Sequence, residues 1–261
     1  MKRIIFLFLT LIVGVLTPAL VYAETKKTLI VGFGMNKPPY VFENENSGLE
    51  VEIFREAARA AGYEIQPFFG PLERLISKMQ SGKLDAISVT NWNENLHYYR
   101  SLPFVTYHNY AIALKKKNLK IKTIADLKNY SITSFQRSRN LLGSEFEKMA
   151  KENPQYREFA DQKLRNAQLY KERADVAIAD IRIFEYFNTQ LNSTININHP
   201  IVMYDLFKKN QYQAAFHSEA IMKKFNEGLL KIKKNGIYKK LETKYSQNQN
   251  NQIIPLEKSN N

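Results

Sequence analysis

The stretch "GLEVEIFREAARAAGYEIQPFFGPLERLISKMQSGKLDAISV" (Gly48–Val89) decides the fold class. Val51, Phe54, Ala57, Ala58 and Ala61 recur at helical spacing, and Gly62 is a natural stop. "EIQPFF" predicts a strand. "PLERLISKMQSG" predicts a second helix, with Pro71 at its start and Gly82 just past its end, where these residues are favoured. "LDAISV" predicts another strand. Upstream, "TLIVGF" (Thr28–Phe33) is a short apolar β-type run. It leads into "MNKPPYVF", whose two prolines oppose helix and make a rigid loop. The order β-α-β-α-β implies a parallel sheet covered by helices, hence an α/β fold.

The pattern continues downstream. "NYAIALKKKN" (Asn109–Asn118) predicts a strand that leaves this first unit, and "TIADLKNY" a short helix with Thr123 at its cap. "SITSF" predicts a strand and "QRSRNLLGSEFEKMAKEN" one helix. A more polar stretch to Tyr170 holds a further helix. "ADVAIAD" (Ala174–Asp180) predicts a strand, followed by the helix "IRIFEYFNTQL". "LFKKNQYQAAFH" (Leu206–His217) reads as extended, and the segment from Ser218 to Tyr245 as amphipathic helix broken near Asn235-Gly236. The polar end of the chain reads as a frayed tail.

Composition narrows the function classes. Lys2 and Arg3, an apolar run from Ile4 to Leu16, and small residues at Val21 and Ala23 predict a secretory signal peptide over residues 1–23. The apolar run falls short of the roughly 18–20 residues a spanning helix needs. The chain has no cysteine, which excludes disulfides, cysteine-based metal sites and a lipid on an N-terminal cysteine. A soluble, periplasmic protein is therefore expected. Without Lys2 and Arg3 the chain carries 36 basic and 25 acidic residues (38 − 2 = 36), a balance of +11. Most of the excess lies in scattered lysine pairs that read as solvated faces. No nucleic-acid motif is present, and no nucleic-acid partner is expected. "GFG" at Gly32–Gly34 lacks the rest of a dinucleotide fingerprint. His97, His108, His199 and His217 show no metal-ligand spacing, and no cofactor or metal is expected.

In order, "LIVGF…PPYVF", "GLEVEIFREAARAAGYE", "PLERLISKMQSGKLDAI", "LPFVTYHNYAIALKKK", "IKTIADLKNYSITSFQ", "ADVAIAD" and "FNEGLLKIKKNGIYKKLETKY" resemble family 3 extracytoplasmic solute-binding proteins. These are the periplasmic receptors of polar amino acid ABC transporters. The resemblance covers nearly the whole chain after the signal peptide. It implies a type II periplasmic-binding-protein fold, with two parallel-sheet lobes joined by two crossover strands. Lobe one is expected at 27–112 plus 211–250, lobe two at 115–206, and a flexible tail at 251–261. A small-molecule ligand would be trapped by hinge closure and delivered to a membrane permease by a monomeric binding protein.

The resemblance also implies site residues. "SVTNWNENLHYYRSLPF" (Ser88–Phe104) follows a strand end and would line the cleft, with Thr90, Asn91 and Trp92 on the first positions. In the family an arginine there clamps the ligand carboxylate, as its planar fork allows. Here His97, or Leu96 if the gap falls differently, takes that place, and Arg100 follows three residues later. Asn36, Lys37 and Tyr40 would face the cleft from the loop after the first strand. Leu72 and Glu73 would face it from a helix start. In lobe two, "SFQRSRNLLG" stands where the family has a strand–glycine–Ser/Thr–helix anion site. Arg137, Ser138 and Arg139 are its candidates. Asp180 would take a ligand ammonium group, or cap the helix that starts at Ile181, or both.

No nucleophile–base pattern marks an enzyme. Two alternatives remain. One is a receptor that signals through a membrane sensor. The other is a dehydratase on the same fold, with His97, Glu73 and Asp180 as acid–base candidates.

Overall fold

The computed structural model describes residues 27–88, 98–191, 195–246 and 252–255. The expected signal peptide lies outside them. The first unit begins β1 (Lys27–Phe33), α1 (Leu49–Ala60), β2 (Tyr63–Phe69), α2 (Leu72–Gln80) and β3 (Ala86–Ile87). This is the β-α-β-α-β order read from the sequence. β2, β1 and β3 run parallel, and β1 sits between the other two. Pro71 precedes α2 directly, and Gly82 follows it at φ 68°, where only glycine is at ease.

Next come β4 (Tyr99–Arg100), β5 (Val105–Tyr107) and β6 (Asn109–Leu114), and then a 3-10 turn at Lys115–Lys117. A second 3-10 turn, Ala125–Asn129, stands where a short helix is expected. β7 (Ile132–Phe135), α3 (Ser138–Leu141), α4 (Ser144–Glu152), β8 (Tyr156–Phe159), α5 (Gln162–Tyr170), β9 (Val176–Asp180), α6 (Ile181–Asn188) and β10 (Ile201–Asp205) complete the second unit. The chain returns through β11 (Asn210–Tyr212) and β12 (Ala215–Phe216). It ends in α7 (Glu219–Lys234), α8 (Ile237–Lys244) and β13 (Gln252–Pro255).

β12 lies between β3 and β4, antiparallel to both, and finishes the first sheet as β2-β1-β3-β12-β4. The second sheet is β13-β10-β6-β9-β7-β8. β6 runs antiparallel to its neighbours β9 and β10, because the chain enters this sheet from the first lobe instead of through a helix. Each sheet therefore combines parallel strands from β-α-β units with antiparallel strands that follow the crossovers. β5 and β11 pair antiparallel and form the two crossovers.

Two boundaries move. β6 belongs to the second sheet, so the first lobe hands over at β5 and not at 112. Gln252–Pro255, expected in a flexible tail, pairs parallel with β10 at the edge of the second sheet. Those four residues include two isoleucines, and the edge of β10 offers unpaired backbone groups to them.

Alternation explains the cores. Along β6, Tyr110, Ile112 and Leu114 fill one face of the second sheet, and Ala111 and Ala113 the other. Along β9, Ala177 and Ala179 oppose Val176 and Ile178 in the same way. Both faces are covered, which is why these strands read as continuous apolar runs. In the first lobe Phe33, Phe54, Phe104, Phe216 and Phe225 form an aromatic core. α7 crosses α1 at Gly228, where an added Cβ would sit 2.1 Å from the Ala57 carbonyl oxygen. Among the described residues, no helix is long and apolar enough to cross a membrane.

Candidate functional site

A cavity of about 580 Å³ lies where the lobes meet the crossovers. The first lobe contributes Lys37 and Arg100. The crossovers contribute Tyr107 and Lys209–Gln213. The second lobe contributes Asn109, Phe135, Leu141, Leu142, Gln162, Arg165, Asp180 and Ile183. It lies beyond strand ends, where open α/β sheets hold ligands. Among the described residues its charges are four cations (Lys37, Arg100, Arg165 and Lys209) against one carboxylate, Asp180.

The aromatic wall is built from below. Ser88, at the end of β3, donates to buried Glu50 Oε1 at 2.5 Å, and the Tyr107 hydroxyl donates to Glu50 Oε2 at 3.1 Å. This holds the Tyr107 ring flat against Tyr40, with centroids 3.8 Å apart. On the Tyr107 ring sits the Lys37 ammonium, 4.5 Å from the centroid. Tyr40 is wholly buried, and burial raises its pKa well above the ordinary value, with the nearby charge of Asp180 adding to the rise. Its ring therefore shapes the wall from behind, and its hydroxyl reaches across to the second lobe.

That hydroxyl donates to Asp180 Oδ2 at 3.0 Å. The same oxygen accepts the His108 N–H at 2.8 Å. Asp180 Oδ1 accepts from the N–H groups of Arg182 (3.0 Å) and Ile183 (3.2 Å), and so caps α6. Of the two roles weighed for Asp180, the cap is present. Burial raises the Asp180 pKa, although the bonds from His108, Ile183 and Tyr40 favour its charged form. A carboxylate has about four acceptor positions, and four donors of the chain itself converge on this one.

In the second lobe, the chain at "FQRSRN" turns between β7 and α3. Arg137 adopts φ 65°, the left-handed conformation that suits the glycine expected there. The N–H groups that follow do point at an anion, but that anion is Glu158 of β8. Its carboxylate accepts from Arg137 N–H at 2.7 Å, Arg139 N–H at 3.0 Å and the Tyr156 hydroxyl at 2.7 Å, and the Ser138 hydroxyl stands further off at 3.3 Å. Burial alone would raise the Glu158 pKa, but these bonds together hold it below the ordinary value. Ser138 is buried, and its hydroxyl oxygen lies 2.6 Å from that of Tyr156; with one proton on each hydroxyl, Tyr156 donates to Glu158 at 2.7 Å and the Ser138 proton serves either Tyr156 or the longer contact to Glu158. The Arg137 and Arg139 side chains are exposed, and neither residue lines the cavity.

Of the other sequence-predicted residues, Lys37 and Asp180 line the cavity and Tyr40 backs it. Asn36 and Glu73 are exposed and Leu72 is half-buried, and none of the three lines it. Thr90, Asn91, Trp92 and His97 lie outside the described residues. Arg100, on β4, does line the cavity. Among the described residues, no group of three or more His, Asp or Glu is placed to hold a metal.

Sequence reasoning missed Arg165 and Glu158. Arg165 lies on α5, which Asp161 caps by accepting from Lys163 and Leu164 N–H. It falls four residues before core Leu169, a register that turns it inward, and it is fully buried. A charge at a core register was the available signal. Glu158 lies on a polar edge strand and carries no comparable signal.

No curated protein matches this chain in sequence. Solved structures do. An ancestral arginine-binding protein bound to arginine is 22% identical over 84% of this chain and 98% of its own, with a TM-score of 0.57. The second substrate-binding domain of Lactococcus lactis GlnP, in an open conformation, is 18% identical over 86% and 97%, with a TM-score of 0.66. A histidine kinase sensor domain with similarity to periplasmic binding proteins is 19% identical over 84% and 96%, with a TM-score of 0.59. These likenesses show a shared two-lobed fold. The model of the bacterial extracellular solute-binding proteins, family 3, matches residues 29–248, and the chain belongs to that family.

Proposed function

We propose that this protein captures a small polar solute, an amino acid or a derivative of one, between its two lobes and hands it to an ABC transporter permease. One observation carries the reading: a cavity of about 580 Å³ is walled by both lobes and both crossovers, so that filling it joins the two halves. The size suits a small organic molecule. The named ligands of similar structures, arginine and glutamine, support the class. The domain of Lactococcus lactis GlnP supports the transporter partner. The apolar run at the start of the sequence supports export to the periplasm. Lys37 and Asp180, with Tyr40 behind them, are the sequence-predicted residues in reach of such a solute. The protein binds without turnover and acts as a monomer.

A second reading is a receptor for a membrane signalling protein. It is favoured by the similarity to a histidine kinase sensor domain. Mass spectrometry of small molecules released by denaturing protein from its native compartment tests capture. Near-stoichiometric recovery of one polar solute is expected. Recovery of none, together with no thermal shift from any of the twenty amino acids, would overturn it. Co-purification in detergent with a permease or with a sensor kinase separates the two partners.

A further inference from the structure

Arg165 is 0% exposed and still borders the cavity. Its Nε and Nη2 both donate to Asn166 Oδ1, at 3.0 and 2.7 Å, and its Nη1 to Gln162 Oε1. A guanidinium has five N–H groups, so one on each Nη remains beyond these bonds. Among the described residues no carboxylate lies within salt-bridge distance of it. The acid whose charge acts on it most is Asp180, and that carboxylate is already filled by four other donors. Burial pushes the Arg165 pKa down to about 9, as an unpaired interior charge should be pushed. A buried cation without a counter-ion is costly, and folded proteins place one only where something compensates it.

The surroundings point the same way. Gln162 also lines the cavity, and its amide oxygen is engaged by Arg165, which leaves its NH₂ as a further donor. Lys37, Lys209 and Arg100 add positive charge to the same walls. The helix N-terminus at Arg137–Arg139 is not open to an anion, because Glu158 fills it.

We propose that Arg165 pairs with a carboxylate of the captured solute, the free N–H of each Nη taking one oxygen and Gln162 assisting. The inference rests on the capture reading and names the group by which the solute is held. A planar guanidinium fork matches two carboxylate oxygens.

The first test needs no variant. Wild-type protein is screened by thermal shift and calorimetry against the twenty L-amino acids, each beside its α-carboxamide, and against C3–C6 mono- and dicarboxylates beside their amides. Binding is expected only from carboxylates, with about a 100-fold loss in the amide that removes the paired group. An amide that binds as tightly as its acid overturns the inference and leaves capture standing. No binding from any probe overturns capture, and the inference with it.

The second test is Arg165→Met and Arg165→Gln. Without ligand, Arg165→Met removes an uncompensated buried charge but leaves the buried Asn166 Oδ1 without a donor, so its melting temperature is expected to stay within a few degrees of wild type. Both variants are expected to lose about 100-fold in affinity for the carboxylate probes. A purely structural arginine gives the opposite pattern, a lowered melting temperature with unchanged affinity, and that result refutes the assignment.

Discussion

Changing Glu158 to glutamine isolates the charge at the start of α3. Three donors converge on this carboxylate at 3.0 Å or less, two of them backbone N–H groups at 2.7 and 3.0 Å. The Tyr156 hydroxyl at 2.7 Å is the third, and the Ser138 hydroxyl stands further off at 3.3 Å. Glutamine offers one acceptor oxygen and one NH₂ of similar shape. If that oxygen replaces Oε1, which serves Arg139, Ser138 and Tyr156, then Arg137 N–H faces an NH₂ and must turn to water. Hydrogen bonds to a charged group contribute about 1.5–3 kcal/mol against about 1 for neutral ones. Partial exposure reduces the difference, so the expected cost is about 1–2 kcal/mol at pH 7. Urea denaturation at fixed pH reads it, and the melting temperature should fall by about 2–8 °C. The pH dependence carries a sign. The folded pKa of Glu158 is depressed, so its contribution is complete above the unfolded glutamate pKa, about 4.3. It is lost as pH falls through the folded value. The gap between wild type and Glu158→Gln should therefore close below about pH 4. A gap that stays constant down to pH 3, or none at pH 7, would refute the view that an ionised side chain fills this site.

Tyr40→Phe removes the hydroxyl on the Asp180 carboxylate and should cost about 1.5–3 kcal/mol by denaturant melt; a neutral result would mean the contact carries no stability. Asp180→Asn leaves the buried His108 N–H facing an NH₂ and weakens the cap of α6. The cost should be about 2–4 kcal/mol, and a variant within about 0.5 kcal/mol of wild type would sink this accounting. Gly228→Ala drives a methyl to within 2.1 Å of the Ala57 carbonyl oxygen. Pushing α7 off α1 should cost about 1–3 kcal/mol, and an unchanged urea midpoint would show that the helices part freely.

The first lobe was legible because its signals agree. Pro71 and Gly82 bracket α2, and helical spacing runs from Val51 to Ala61 with Gly62 beyond. The break at Asn235-Gly236 is likewise where it reads. The second lobe is harder. "QRSRNLLGSEFEKMAKEN" reads as one helix and forms two, because Gly143 adopts φ 96° and restarts the chain ahead of Ser144. β8 is "YREF", an edge strand with one partner, and shows too little apolar alternation to announce itself. β10 is "IVMYD", whose four apolar residues are too short a run to separate strand from buried helix. At the site, Lys37 and Asp180 were named by the family resemblance, one in the loop after β1 and the other ending β9, and both line the cavity. Glu158 was not readable, because its role depends on which strand lies beside β7, and pairing is a property of the sheet.

Two ion sites in the second lobe show how closely its charges are accounted for. Asp180 lines the cavity and is met by four donors of the chain itself, whereas Glu158 lies outside the cavity lining and is met by the N–H groups of Arg137 and Arg139 and the Tyr156 hydroxyl. Asp180 has no acceptor capacity left over for a cationic solute group. Arg165 is the converse, a buried cation with donors to spare and only amide oxygens for partners. In a wall where the negative group is satisfied and a positive one is not, the unmet demand is for negative charge. Neutral or positively charged solutes would leave Arg165 as it is, whereas a carboxylate would meet it. The basic balance of the whole chain acts in the same direction at long range by drawing anions toward the cleft. An amino acid can satisfy this arrangement through its carboxylate, but then its ammonium group must compete with Tyr40 or His108 for Asp180. An organic acid without an amine faces no such competition, so comparing amino acids with amine-free C3–C6 acids in the thermal-shift screen reads whether Asp180 yields to a solute ammonium group.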